Sequence, residues 1–284
     1  MIDGNQIRTL AAQARIDPGI IEKDYVLSKV LMALSQVDPF NQNLLFKGGT
    51  ALKKFYYSDW RFSEDLDFTA KTKLKPKDVR SIFQEAVDKV GILFGLSMRI
   101  LEYSQYPKSG DELVSAQFKL GYDGPLRKSS GQKNNVRVDI AFEERLISEP
   151  VKKKILSGYS DDIDAEMVVY SLEEILSEKL RSILQRGKSR DYYDVWILLK
   201  DFKNDFSNEL LREILKGKCE FKDIPTPKTE DFFKKERTGE AGRYWERGLA
   251  HQLNDLPEFE QVLEELKALI RSVKSGEAGS TEGE

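Results

Sequence analysis

Cysteine and histidine are nearly absent from this sequence, which contains one residue of each type among 284. The lone cysteine, Cys219, cannot form a disulfide within the chain, which is typical of proteins from a reducing compartment. The lone histidine, His251, excludes a zinc site that is rich in histidine. Neither a disulfide framework nor a histidine cluster therefore organises this chain.

Long apolar segments are lacking as well. No uninterrupted apolar run is longer than that at residues 195–199, whereas a helix needs roughly 20 apolar residues to cross a bilayer. Residues 1–5 have neither the basic nor the apolar segment that opens a secretory signal. We therefore expect a cytoplasmic protein without a membrane partner.

An excess of positive charge is the third missing feature. Lys and Arg number 45 against 48 Asp and Glu, so the formal net charge is −3. This balance argues against nucleic-acid binding by bulk charge, because phosphate backbones favour concentrated Lys and Arg. Basic residues are nevertheless concentrated in residues 179–190 and in a turn-rich loop, residues 124–135, with Arg127, Lys128 and Lys133. Both segments are candidate phosphate-binding surfaces, and a solvated helix face is the alternative for the first.

The order of patterns along the chain predicts an α+β protein. Strand-like segments and an amphipathic helix at residues 77–90 are mixed in the first part, and the strand-like segments are residues 65–68, 113–122 and 136–142. After residue 170 the patterns are helical, at residues 172–186, 192–202, 208–215 and 258–273. We predict a domain with a mixed sheet over residues 1–165, a helical domain over residues 166–274, and a disordered tail over residues 275–284. The tail is rich in Gly, Ser and Glu, and such a composition cannot bury a core.

A pair of glycines separates an apolar run from a short predicted helix. Gly48 and Gly49 follow residues 43–47, and Thr50 and Lys53 come next. Glycines let the backbone approach a ligand closely, and the first turn of a helix offers free N–H groups to phosphate. These four residues are therefore candidate nucleotide-binding residues, with a plain turn as the alternative.

Two aspartates follow the glycines at strand spacing. Asp65 and Asp67 are two residues apart, so both carboxylates leave the same face of a strand, while Leu66 and Phe68 point to the other face. Paired carboxylates repel each other unless a cation lies between them, and Mg²⁺ typically takes one or two carboxylates together with substrate phosphates. The pattern predicts a metal site at Asp65 and Asp67. Two solvated acids on an edge strand are the alternative.

A third candidate metal ligand is Asp139. On the predicted strand at residues 136–142, Val136 and Val138 share one face, while Arg137 and Asp139 share the other. A neighbouring strand can bring Asp139 beside the two earlier aspartates and complete a site for two metal ions. An exposed strand face is the alternative.

Two charged residues of the helical part stand among apolar neighbours. The helix predicted from residue 172 opens with a capping box, Ser171 to Glu174, and at 100° per residue Lys179 falls within its apolar stripe. An ammonium there must reach solvent or meet an anion. Asp194, in the next helix, is likewise surrounded by apolar residues and needs a partner. Lys179 therefore contacts substrate phosphate, pairs with Asp194, or extends its ammonium to solvent at the edge of the domain.

At these residues the chain resembles the AbiEii/AbiGii-type nucleotidyltransferase toxins, which include the MenT group. The matching segments cover most of residues 20–200 in the same order, and they are residues 21–25, 46–53, 61–68 and 172–199. Thr50 stands where the motif often has serine, a change that keeps the hydroxyl. The region beyond about residue 205 does not contribute to the resemblance.

The resemblance implies a fold and an activity. The fold is a polymerase-β-like nucleotidyltransferase domain followed by a helical domain. The activity is that of a toxin, encoded beside an antitoxin, that transfers nucleotides from an NTP with Mg²⁺ or Mn²⁺, in some members to the 3′ end of tRNA. The family's catalytic positions map onto Ser63, Asp65, Lys179 and Asp194, and its second motif carboxylate onto Asp67. Ser63 is also a candidate NTP-binding residue, together with the glycine segment.

Two other functions are compatible with the same residues. One is a nucleotidyltransferase that modifies a hydroxyl of a small molecule or a protein. The other is a module without catalysis that binds an NTP only for regulation. Intact aspartates at positions 65 and 67 and the position of Lys179 favour an enzyme.

Overall fold

The computed structural model describes residues 1–110, 112–127 and 134–275. Lys128 and Lys133 of the predicted basic loop, and residues 276–284 of the predicted tail, lie outside the described residues. The chain forms two compact units. The first contains Met1–Glu144 and Pro150–Tyr170, and the second contains Arg145–Glu149 and the described residues from Ser171 onward.

The first unit is built on a seven-stranded sheet with the strand order β3-β4-β5-β2-β1-β7-β6. Its strands are β1 (Leu44–Lys47), β2 (Asp65–Ala70), β3 (Ser97–Tyr106), β4 (Ser115–Asp123), β5 (Asn135–Ala141), β6 (Val151–Lys154) and β7 (Glu166–Val169). The pairs β1/β7 and β2/β5 are parallel, and the other four neighbouring pairs are antiparallel. The prediction of an α+β fold with a mixed sheet is therefore confirmed.

The helices of the first unit begin and end where the local sequence favours it. They are α1 (Gly4–Ala14), α2 (Pro18–Ser35), α3 (Phe40–Asn43), α4 (Gly48–Ala51), which continues as a π-helical turn over Leu52–Tyr56, and α5 (Pro76–Phe94). Asp17 caps α2 by accepting the N–H of Gly19, and proline occupies the first helical position. Gly95 ends α5 in the left-handed conformation that glycine adopts without strain.

Alternation along β2 and β5 decides which side chains enter the core. Leu66 and Phe68 are fully buried, and so are Val136 and Val138 on the neighbouring strand. On this face Phe83 of α5 packs against Phe68 and Phe118, with ring centroids 6.0 and 4.5 Å apart. Burial of this apolar face leaves the opposite face of the same strands for polar side chains.

The second unit is helical. Its helices are α6 (Leu172–Gln185), α7 (Ser189–Asp201), α8 (Asn208–Phe221), α9 (Lys235–Arg243), α10 (Trp245–Leu249) and α11 (Phe259–Ser275). The hydroxyl of Ser171 caps α6 by accepting the N–H of Glu174. The predicted capping box also required the Glu174 carboxylate to accept the N–H of Ser171, and this part of the prediction is wrong. The Glu174 carboxylate accepts the N–H groups of Ile147 and Ser148 and pairs with Lys218 at 2.6 Å. No helix among the described residues is long and apolar enough to cross a membrane.

Candidate active site

The polar face of the sheet brings the predicted carboxylates together. In the register of β2 with β5, Asp67 lies opposite Asp139 and Asp65 lies opposite Arg137. Residues that are paired in register project to the same side of a sheet. Lys47 of β1 and Gln117 of β4 extend the first pair into a row across four strands. Asp139 thus stands beside Asp67, on the polar face that the alternation of β5 predicts.

A guanidinium lies against these acids. Arg137 Nε donates to Asp65 Oδ1 at 3.3 Å and lies 4.0 Å from Asp139 Oδ2. The negative charge of Asp65, followed by the hydrogen bond to it and by Asp139 and Asp67, raises the pKa of Arg137 above its ordinary value. Burial raises the pKa of Asp139, opposed by the hydrogen bond that its Oδ1 accepts from Gln117 at 2.6 Å. The polar face of the sheet therefore already binds a positively charged group of the protein itself, the Arg137 guanidinium.

The Gly48-Gly49 turn packs directly against Asp67. Gly48 has a φ of +84°, and a Cβ at this position would overlap the Asp67 carboxylate. Glycine is required here for two reasons: the backbone is left-handed, and the carboxylate occupies the space of a side chain. The structure thus joins the glycine segment to the second aspartate.

Thr50 and Lys53 connect the helix after the glycines to the segment that leads into β2. The Thr50 hydroxyl donates to the backbone carbonyl of Asp65 at 2.6 Å. The ammonium of Lys53 is buried and donates to the carbonyls of Ser58 and Trp60, each at 2.9 Å. Burial lowers the pKa of Lys53. Both side chains support the position of the Asp65 strand, and their predicted contact with an NTP stays a prediction.

Arg61 and Ser63 lie beneath the second glycine. A Cβ at Gly49 would lie 3.1 Å from the Arg61 guanidinium and 3.5 Å from the Ser63 hydroxyl, and both side chains are buried. The sequence motif included Arg61, but nothing in the local pattern indicated that its side chain turns back to the glycines. Ser63 thus lies next to the glycine turn, together with which it is predicted to bind the NTP.

Residues 21–25, which form part of the family resemblance, lie in α2 and contact this region through two ion pairs. Lys23 pairs with Glu64 at 2.8 Å, between Ser63 and Asp65 in the chain. Asp24 pairs with the buried Lys54 at 2.7 Å. Two adjacent residues of α2 therefore contact both parts of the site. Asp24 binds the helical segment that follows the glycine turn, and Lys23 binds the residue directly before Asp65.

Lys179 and Asp194 belong to the second unit, on α6 and α7. Their charged atoms are 2.5 Å apart, the Asp194 side chain has no exposed surface, and that of Lys179 is 10% exposed. Of the arrangements that the sequence left open for Lys179, the structure shows its pairing with Asp194. A catalytic role for either one stays a prediction.

The residues present fit a divalent cation at two carboxylates. Asp65 and Asp67 present hard oxygen atoms on one half-buried face, and two such ligands together with substrate phosphates suit Mg²⁺. In the part of the chain that the structure describes, no three His, Cys, Asp or Glu side chains form a group able to hold a metal ion. The structure therefore does not assemble Asp139 with the other two as a ready three-carboxylate site.

The comparisons with known proteins agree with this architecture. Among solved structures the chain is similar to MenT4, a nucleotidyltransferase toxin from Mycobacterium tuberculosis H37Rv. The TM-score is 0.63 at 17% sequence identity, over 98% of this chain and 91% of that chain. No curated protein matches the chain. The similarity establishes the nucleotidyltransferase fold as the class of structure.

The family follows from the sequence match. Residues 29–265 match the model of the family described as nucleotidyl transferase AbiEii toxin, type IV toxin–antitoxin system. The chain belongs to this family. It is thus a nucleotidyltransferase toxin of a type IV system, and such a system implies an antitoxin as its partner.

Proposed function

We propose that this toxin transfers nucleotides from an NTP to the 3′ end of tRNA in a reaction that depends on Mg²⁺ or Mn²⁺. The observation that carries the proposal is the junction of three features: Asp65 and Asp67 on one strand face, the glycine turn against Asp67, and the Thr50 hydroxyl on the Asp65 backbone. A transferase needs a fixed place for the triphosphate and a fixed pair of carboxylates, and this junction supplies both.

The roles of the residues follow from their positions. Asp65 and Asp67 would hold the divalent cation, which when bound neutralises charge on the phosphates of the NTP. Gly48 and Gly49 let the turn pack closely against Asp67 and Ser63, because neither has a side chain to fill that space, and the backbone of this turn would contact the triphosphate. Ser63, buried beside Gly49, supports one side of this glycine turn.

Lys179 and Asp194 are proposed to act in the same reaction on the strength of the family resemblance. Their burial as a pair fixes the ammonium in one position. A charge held in place stabilises the developing charge of phosphoryl transfer better than a mobile one, because it needs no reorganisation during the reaction. We place the activity in the cytoplasm, where tRNA and NTPs are found, on the ground of the single cysteine.

The proposal is tested by incubating the purified protein with each labelled NTP and total tRNA, with Mg²⁺ present or chelated. We expect label on tRNA from at least one NTP, only with the divalent cation, and none on tRNA whose terminal ribose has been oxidised by periodate. Label on a small molecule or a protein would replace tRNA as the acceptor. Transfer that persists in the chelated sample would contradict the metal site.

A further inference from the structure

Arg137 lies on the same face of the sheet as the three aspartates. It lies opposite Asp65 in the register of β5 with β2, and Asp139 follows it on the same face of β5. Its Nε is 3.3 Å from Asp65 Oδ1 and 4.0 Å from Asp139 Oδ2. One guanidinium therefore offsets the repulsion between carboxylates that stand on adjacent strands.

We propose that Arg137 is the resident counter-cation of the metal site, and that a divalent cation must displace it from Asp65 in order to bind. This inference rests on the proposed function, because it assumes that Asp65 is a metal ligand. Arg137 is a positioning residue in this account: it acts through the Asp65 carboxylate and through the affinity of that carboxylate for metal.

Exposure makes the displacement feasible. The Arg137 side chain is 61% exposed, and exposed ion pairs contribute little to stability because water and salt screen them. The long side chain can turn into solvent without leaving a buried charge behind. The Lys179–Asp194 pair differs in this respect, since Asp194 is fully buried and cannot be resolvated in place.

Lysines of the strands on either side share this face. Lys47 of β1 is the register partner of Asp67, and Lys119 of β4, the register partner of Arg137, has its ammonium 3.7 Å from Glu102 of β3. Arg137 itself donates to the Asp65 carboxylate. Replacing Arg137 by a neutral residue therefore increases the negative potential at Asp65 and Asp67. A divalent cation responds strongly to such a change, because its charge is double that of the guanidinium it replaces.

The test measures Mn²⁺ binding to the intact protein without nucleotide, by the electron paramagnetic resonance signal of free Mn²⁺. Arg137→Gln is expected to tighten binding about tenfold at low salt and less at high salt, because salt screens exposed charges. Arg137→Lys keeps the charge and should stay near the wild type. The matched control is Arg99→Gln, which removes an exposed arginine that is paired with Asp123 on the β3 side of the sheet.

Asp65→Ala distinguishes the failure of this inference from the failure of the proposed function. If the wild type binds Mn²⁺, Asp65→Ala abolishes that binding, and Arg137→Gln binds no more tightly than the wild type, then Arg137 is not a counter-cation and the metal site stands. If neither the wild type nor Arg137→Gln binds Mn²⁺, the metal site at Asp65 and the inference both fail. Equal tightening by Arg99→Gln would also overturn the inference, because the effect would then come from net charge alone.

Discussion

Lys179 of α6 and Asp194 of α7 form a buried ion pair with their charged atoms 2.5 Å apart. Helical periodicity placed each of them among apolar residues, and each therefore needed a partner. Inside the helical unit each charge of the pair compensates the other, because the Asp194 side chain has no exposed surface. It also fixes the one ammonium that the family resemblance marks as catalytic.

Lys179→Met should lower both stability and activity. Loss of the ammonium leaves the Asp194 charge in a buried site without its closest partner, at a cost of about 3 kcal/mol in the free energy of unfolding. Urea denaturation beside a transfer assay measures both effects. The double variant Lys179→Met/Asp194→Asn should regain stability, because the amide carries no charge, but should stay inactive. A single variant as stable as the wild type would show that the pair contributes nothing to the fold.

Gly48→Ala should abolish most nucleotide transfer, because it displaces the Asp67 carboxylate. The new Cβ would overlap the Asp67 carboxylate, and a displacement of a reactive group by about 1 Å can cost about a hundredfold in rate. The matched control is Gly95→Ala, since Gly95 also has a positive φ, +63°, but has nothing within 4 Å of a Cβ. Both variants should lose about 1 kcal/mol of stability from backbone strain. Equal activity of the two variants would show that Gly48 is not part of the active site.

Lys53→Met separates a structural from a nucleotide-binding role of this lysine. The ammonium is the donor to two carbonyls of the loop before Ser63, so we expect a loss of about 1–3 kcal/mol in the free energy of unfolding. The exposed Lys71→Met serves as the control. A stable variant with weakened NTP binding would instead assign Lys53 to the nucleotide, as the sequence predicted.

Arg127→Glu tests whether the basic loop predicted at residues 124–135 contacts the acceptor. Charge reversal should raise the KM for tRNA and reduce the salt dependence of that KM, because fewer counterions are released when tRNA binds. NTP binding should stay unchanged. The control is Lys108→Glu, which reverses an exposed charge between β3 and β4 and should leave the KM for tRNA and its salt dependence unchanged. An unaltered salt slope in Arg127→Glu would place the acceptor on another surface.

Local periodicity was sufficient to predict the faces of the elements. The alternation of β2 and β5 placed Asp65, Asp67 and Asp139 on polar faces, because side chains of a strand alternate regardless of what lies beside it. The same rule missed β3, an edge strand without a fully buried residue, in which a register shift between Ile100 and Glu102 interrupts the alternation. An element without a buried stripe leaves no period to detect.

Contacts between distant segments could not be predicted in this way. The sequence shows that Arg137 shares a face with Asp139, but not that β5 pairs in parallel with β2 and sets Arg137 against Asp65. Nor does it show that Lys53 turns to Ser58 and Trp60, because a long side chain can reach several partners from one backbone position. Register and side-chain direction depend on tertiary packing, which no single window of sequence contains.

The most direct test of the central claim is nucleotide transfer to tRNA by Asp65→Ala, measured beside the melting curve of the same preparation. Asp65 is half-buried on the polar face, so its removal should leave the melting temperature close to that of the wild type. Transfer should disappear, because a metal carboxylate accounts for several kcal/mol of transition-state stabilisation. A folded Asp65→Ala protein that labels tRNA at the wild-type rate would contradict the assignment of the active site.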